Sequence, residues 1–301
     1  MDYLNTIQTF AAHIQINSYE VHSSGWDNIG ILINDDFLFR FPRSKEAYDR
    51  IKQDGVLLSL LQEPMKRIGI NVPIYQFLRD SKGEIICCYY QAIMGDSLTN
   101  VILMSLPSHE QDIIAKQLAS FLQTLHRMNY DGLGYHREHD KKWWHTHLKE
   151  VEENIYPILT KHEQSAVANF FAELIRTVDQ EGVSASIIHG DLAHTHILYR
   201  DGLEGVIDFG DVCIGDPAYD FYRLYEDFGE GFARNVYRYY SEQHPFPQDQ
   251  GFYYRIEKFY RYHATFHELL HRIEMSDEIQ CKEQLVVLQA RIAQWKEPGE
   301  E

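Results

Sequence analysis

Apolar and polar positions along the first ninety residues alternate in short runs. Ile14–Val21, Ile29–Ile33 and Phe37–Phe41 are β-type, separated by Ser23-Ser24-Gly25-Trp26-Asp27-Asn28 and Asn34-Asp35-Asp36, the small and polar residues that tight turns need. This predicts a meander of strands. After Pro42 the period lengthens: Ala47, Ile51, Gly55, Leu58 and Leu61 or Gln62 fall at helical spacing and predict a helix over about 45–62. Strands return at Ile74–Leu78 and Glu84–Tyr90. Beyond Gly95 the helical period dominates. Ser108-His109-Glu110-Gln111 reads as a capping box, in which a serine oxygen and a glutamine side chain satisfy exposed amides reciprocally. The helix it opens runs to about Met128, with Ile113, Ile114, Leu118, Phe121, Leu122, Leu125 and Met128 as one broad apolar stripe. Helices of mixed charge follow over 141–182 and 217–295. Between them stand brief β-type runs at Ile187-Ile188, Ile197–Tyr199 and Gly205–Ile207, the last two parted by a turn at Asp201-Gly202.

A β-rich first third, a short connector and a helix-rich remainder predict an α+β protein of two lobes, residues 1–92 and 93–301, with a ligand-binding cleft between them. A chain of 301 residues, 44% of them hydrophobic, can fill cores of that size. Acidic residues outnumber basic ones 45 to 28, a formal charge of −17 that disfavours nucleic acid and suits a cationic ligand; general acidity accounts for the excess equally well. Cys87, Cys88, Cys213 and Cys281 have no CxxC spacing, Met1–Phe10 has no secretory pattern, and no run approaches the roughly 20 apolar residues that cross a bilayer. The expectation is a soluble cytoplasmic protein, monomeric, with neither membrane nor nucleic acid as partner.

The chemistry concentrates in two segments. Ile187-Ile188-His189-Gly190-Asp191-Leu192-Ala193-His194-Thr195-His196-Ile197-Leu198 reads strand, tight polar loop, strand, and twelve residues after His196 stands Asp208, within Val206-Ile207-Asp208-Phe209-Gly210-Asp211. Phosphoryl transfer needs a carboxylate to orient the attacking hydroxyl and take its proton, together with metal ligands that neutralise the phosphates. Two anchored loops of this composition can supply all of these. Either segment alone is an ordinary turn; their order and spacing make the signal.

HGDLAHTHIL followed by VIDFGD resembles the catalytic loop and metal-binding aspartate of the aminoglycoside phosphotransferase family, which has a bilobal protein-kinase-like fold. Two further segments are similar to that family, in particular to its 2″-aminoglycoside and macrolide branches: Phe37-Leu38-Phe39-Arg40-Phe41-Pro42 and Leu118-Ala119-Ser120-Phe121-Leu122-Gln123-Thr124-Leu125-His126. The resemblance implies Asp191 as the catalytic aspartate and Asp208 as a Mg²⁺ ligand. It also implies His196 as a metal ligand where most kinases have asparagine, although magnesium prefers oxygen. Arg40 stands where the family has a phosphate-binding lysine, with Asp54, 14 residues on, in place of its usual glutamate partner. Arginine keeps the charge but presents a planar fork instead of a point charge. Ser24 and Gly25 would belong to the loop covering the nucleotide, although no full GxGxxG is present. Tyr90 falls at the gatekeeper position, where a bulky aromatic favours GTP over ATP, and Ile93 would offer backbone groups to the purine.

For the acceptor, the same resemblance points to the carboxylates after Asp208. Asp220, Glu226, Asp227 and Glu230 are expected to meet a small cationic substrate such as an aminoglycoside, with helix capping the alternative for Asp216 and Asp220. Tyr253, Tyr254, Tyr260 and Tyr262 line either a sugar pocket or the core. Three rival readings remain: a macrolide kinase or a kinase of another small amino alcohol; a zinc protein using His263, His267 and His271 at i, i+4 and i+8 with His145 and His147; and an inactive kinase-fold binding module, suggested by Arg40.

Overall fold

The computed structural model describes residues 2–23, 25, 27–181, 183–243 and 251–295. Helix α1 (Tyr3–Phe10) opens the chain, its first turn capped by Asp2 Oδ1, which accepts from Asn5 N at 3.1 Å. Five antiparallel strands follow: β1 (Tyr19–His22), β2 (Asn28–Ile33), β3 (Phe37–Pro42), β4 (Gln76–Arg79) and β5 (Ile85–Gln91), in the order β1-β2-β3-β5-β4. Alternate residues Ile31, Ile33, Phe39, Phe41, Cys87 and Tyr89 turn to one face and close a small core with Ile7, Ala11 and Ile14. The first strand therefore begins at Tyr19 and not at Ile14, whose amide instead closes a turn on the Ala11 carbonyl while its side chain enters that core.

Between β3 and β4 lies α2 (Lys45–Arg67), capped by Ser44 Oγ accepting from Ala47 N at 3.1 Å. It runs past the expected end near residue 62 and through Pro64, because Leu57, Leu58, Leu61 and Met65 on its second half are buried in a different and larger core. That burial offsets the hydrogen bond that proline removes. α2 thus has one end at the sheet and the other among the helices.

The remainder is mainly helical: β6 (Asp96–Ser97), α3 (Asn100–Ser105), α4 (Ser108–His126), α5 (Lys141–Asn154) and α6 (Lys161–Glu181), then β7 (Ser186–Ile188), β8 (Ile197–Tyr199), β9 (Leu203–Val206) and β10 (Cys213–Gly215), and finally α7 (Asp220–Gln243), α8 (Phe252–Arg255), α9 (Arg261–Glu274) and α10 (Glu278–Ile292). α7 breaks at Gly229, whose φ of 83° is non-helical. The expected capping box is not formed: Pro107 occupies the cap position, Ser108 is already inside α4, and Gln111 Nε2 donates to the Leu106 carbonyl at 2.9 Å. α4 packs on α7, and α9 packs on α5 and α10. Two small antiparallel ladders, β7 with β10 and β6 with β8 and β9, sit where the connector meets this region. No helix among the described residues is long and apolar enough to cross a membrane.

Candidate active site

Strand β7 ends at Ile188 and the chain enters the loop His189–His196, which leads into β8; β9 ends at Val206 and leads to Asp208. Several contacts bind these loops together. His189 Nε2 donates to the Ile207 carbonyl at 3.1 Å, just before Asp208. The ring is wholly buried, and burial holds its pKa below the usual histidine value, so it stays neutral. Gly190 has φ 82°, and a Cβ there would stand 2.2 Å from the Asp211 carbonyl oxygen; glycine alone permits this close approach. Asp208 itself adopts φ 61°, the left-handed region that aspartate tolerates better than most side chains.

Three of the side chains singled out in the sequence lie together. Asp191 Oδ2 lies 3.6 Å from His196 Nδ1, and His196 Nε2 lies 3.7 Å from Asp208 Oδ2. His196 Nδ1 also bonds the Asp191 carbonyl at 2.8 Å. A carbonyl only accepts, so Nδ1 carries the proton, and in the neutral ring Nε2 presents a lone pair toward a carboxylate oxygen. Two electron-pair donors facing each other across 3.7 Å suit a shared cation.

Arg40 enters from β3. Its terminal nitrogens donate to Asp208 Oδ1 at 3.0 Å and to Tyr75 Oη at 2.9 Å. Burial of Asp208 opposes its charge, but Arg40, then His196 and His189, hold the carboxyl below its ordinary pKa. Asp211 is exposed to solvent, but the protein packed around its carboxyl, then Asp191 and Asp208, push it up to about 6.

The expected Arg40–Asp54 pair is not present. Asp54, 2% exposed, accepts from Tyr135 Oη at 3.0 Å instead, and burial raises its pKa to about 7 despite Arg50 nearby. An aspartate is too short to follow Arg40, which has already turned to Asp208. Beside Asp54, Arg50 donates to the Val212 carbonyl and Gln53 to the Leu133 carbonyl, so this face of α2 is tied to the helical region.

Asp220 is not open to a ligand either. It is 1% exposed, Oδ2 accepts from His189 N at 2.8 Å, Oδ1 accepts from Gly190 N at 2.9 Å, and His126 Nε2 lies 3.0 Å from Oδ2. It holds the His189-Gly190 turn from below. Asp216 is equally buried, held by Arg255 Nε at 2.5 Å and Tyr260 Oη. Each carboxylate beyond the loops has its own partner: Glu226 takes Arg291 at 2.8 Å, Asp227 accepts from His194 N at 2.7 Å, and Glu230 takes Arg234 at 2.6 Å.

Tyr90 is buried and stacks on Tyr75 at 5.5 Å between ring centroids, next to Arg40, and Ile93 packs against Gly205. Ser24 lies outside the described residues. Gly25 borders a groove of about 1060 Å³ that runs from Ser23 and Arg43 to α5 and α9, with Trp143, His147, Glu150, His267 and Leu270 on its far side. Glu226, Asp227 and Glu230 are not among its described lining residues. His263 is buried, its Nδ1 on Tyr219 Oη at 2.9 Å and its Nε2 3.1 Å from His147 Nε2. Among the described residues no set of three or more His, Cys, Asp or Glu side chains is arranged as a complete metal site, and the histidine-rich face of α9 is no exception. Of the four tyrosines, Tyr260 belongs to the core and Tyr254 is exposed.

A model of the phosphotransferase enzyme family, APH, matches residues 18–253. The chain belongs to this family. The phosphotransferase also superposes on solved structures along nearly its whole length. It is 28% identical to APH(2″)-IIIa in a complex with GDP and kanamycin, covering 97% of this chain and 98% of that one with a TM-score of 0.85. APH(2″)-Ib with bound ADP is 21% identical, covers 96% and 97%, and gives 0.75. The macrolide 2′-phosphotransferase MphH from Brachybacterium faecium, an apoenzyme, is 16% identical, covers 100% of both chains and gives 0.69. The last two likenesses bear on the fold alone. The expected bilobal kinase-like architecture and the expectation of a small-molecule phosphotransferase both hold.

Two residues of the phosphotransferase site escaped the sequence reading. Tyr75, at the start of the run expected as a strand, holds Arg40. Arg223, in the helix after Asp220, donates from Nε to Asp191 Oδ1 at 2.8 Å. A basic residue within Asp216–Glu230, otherwise so acidic, was the available signal.

Proposed function

We propose that this phosphotransferase uses Mg²⁺ to move the γ-phosphoryl group of GTP or ATP to a hydroxyl of a cationic aminoglycoside-type acceptor. The observation that carries the reading is the convergence of Asp191, His196 and Asp208, with Arg40 on the far side of Asp208. Asp191 Oδ2 orients the acceptor hydroxyl and takes its proton. His196 Nε2 and Asp208 Oδ2 are the groups that would hold Mg²⁺, one nitrogen and one oxygen for an ion that prefers oxygen. When bound, the ion neutralises charge on the β- and γ-phosphates. Arg40 keeps one fork on Asp208 and is placed for the same phosphates. The GDP and kanamycin named in the complex of the 28%-identical relative support a guanine nucleotide and an aminoglycoside. Tyr90, filling the space beside Arg40, supports the same nucleotide choice.

One observation favours a second acceptor class. The groove wall includes Trp143, Leu270, Ile273 and Met275, while the carboxylates expected to bind a polycation are matched internally. A macrolide, bulky and largely apolar, suits that wall. Nucleotide turnover with Mg²⁺ across aminoglycosides, macrolides and simple amino alcohols, with Asp191→Ala as control, separates the two. Stimulation by aminoglycosides supports the first reading and by macrolides the second. Silence across the panel would remove both.

A further inference from the structure

Arg223 is sparsely hydrogen-bonded, its guanidinium lying over the Tyr222 ring at 5.2 Å. A guanidinium carries five N–H donors in a rigid fork. Only Nε of Arg223 has a hydrogen-bond partner among the described residues, Asp191 Oδ1, and its side chain is 32% exposed. Three other arginines around the site use two nitrogens each: Arg40 on Asp208 and Tyr75, Arg291 on Glu226 and the Arg261 carbonyl, and Arg234 on Glu230 and Glu257. The loop Asp191–His196 contains neither lysine nor arginine.

We propose that Arg223 is a catalytic residue that places its free N–H groups on the oxygens of the transferring phosphoryl group. In the reaction a bond forms between the acceptor oxygen and the γ-phosphorus, the bond from that phosphorus to the β,γ-bridging oxygen breaks, and the hydroxyl proton passes to Asp191. Negative charge spreads over the three equatorial oxygens, and an arginine supplied in cis is a known means of stabilising it. A hydroxyl bonded to Asp191 Oδ2 lies about 2.7 Å from it, and the phosphorus about 3–3.5 Å further. Arg223 holds the other oxygen of the same carboxylate, which sets its guanidinium next to that space. The inference rests on phosphoryl transfer at this site and not on which acceptor is used.

The test needs no identified acceptor, since water replaces it. Slow hydrolysis of GTP and of ATP is measured for the full-length protein, Arg223→Met, Arg223→Lys and Asp191→Asn, alongside GDP and ADP binding with and without fluoroaluminate, which mimics the planar phosphoryl group. Arg223→Met is expected to hydrolyse about 10²- to 10³-fold more slowly, to bind the diphosphates within about threefold of the parent, and to lose the tightening that fluoroaluminate produces. Arg223→Lys should recover part of both. If the methionine variant does not fold, the lysine variant decides, because it keeps a cation on Asp191; parent-like hydrolysis and tightening in it overturn the proposal. So does parent-like behaviour of a folded Arg223→Met, which would leave Arg223 as an anchor for Asp191 or an acceptor contact. Hydrolysis unaffected by Asp191→Asn would remove the active-site assignment itself.

Discussion

The loops around Asp191 and Asp208 and the carboxylate group Glu226–Glu230 are both polar and crowded, yet they differ in what they leave unused. In the loops, Asp220 satisfies the amides of His189 and Gly190, whereas Asp191 Oδ2 stands by His196 Nδ1 and Asp208 Oδ2 by His196 Nε2 at distances too long for hydrogen bonds. In the second group Glu226, Asp227 and Glu230 each end on an arginine or a backbone amide. Chemistry is marked by unspent bonding capacity on a rigid support, and a density of charge is a poorer guide.

The sharpest way to test this contrast is to remove an unspent group. Asp191→Asn is expected to lower acceptor turnover by about 10³-fold, with nucleotide binding changed only a few-fold, as steady-state kinetics and a direct binding titration would read. Next comes the support. Asp220→Ala leaves two buried loop amides and His126 without their carboxylate, at a cost of about 3–5 kcal/mol in urea unfolding. An unfolding curve within 1 kcal/mol of the parent would contradict the role given to Asp220.

A smaller effect tests Asp54. Its folded pKa, about 7, lies above that of an ordinary aspartate, so the folded state holds a proton that the unfolded chain releases. Its contribution is fully present below about pH 4 and is lost as pH rises to about 7, on the order of a few kcal/mol. Asp54→Asn should remove that component, so the difference between the two stability profiles narrows at low pH and opens above neutrality. Parallel profiles would refute the shift. The smallest effect belongs to the spent group. Glu230→Ala breaks an exposed pair one helical turn long and should cost about 0.5 kcal/mol or less, with no change in acceptor KM beyond about twofold. A large rise in KM would bring the carboxylate group back into the acceptor site.

What could be read from the sequence follows from the same distinction. His189 to His196 and Val206 to Asp211 are contiguous, and their spacing alone brings carboxylates and histidine to two adjoining loops. The strands and α2 were also legible, because burial on one face writes its period into the chain. Partnerships across long separations were not. Arg40 could face Asp54 or Asp208, and only the fold shows that α2 turns Asp54 toward Tyr135. Asp220 looks like a substrate carboxylate until the fold returns it, 30 positions on, beneath Gly190. Helix ends failed locally: Ser108 and Gln111 match a capping box, but Pro107 already sets the extended backbone at that position.

The path of α2 bears on how the molecule unfolds. Ala47 and Ile51 lie in its first half, whereas Leu57, Leu58, Leu61 and Met65 complete the apolar interior of the helical region. Severing the chain at the connector near residue 92 would strip that interior of one wall and leave an oily helix face on the severed fragment. The sheet-bearing part is therefore expected to be insoluble when expressed alone, and the intact chain to melt in one cooperative transition. A boundary that looks clean along the sequence is not a line along which this protein comes apart.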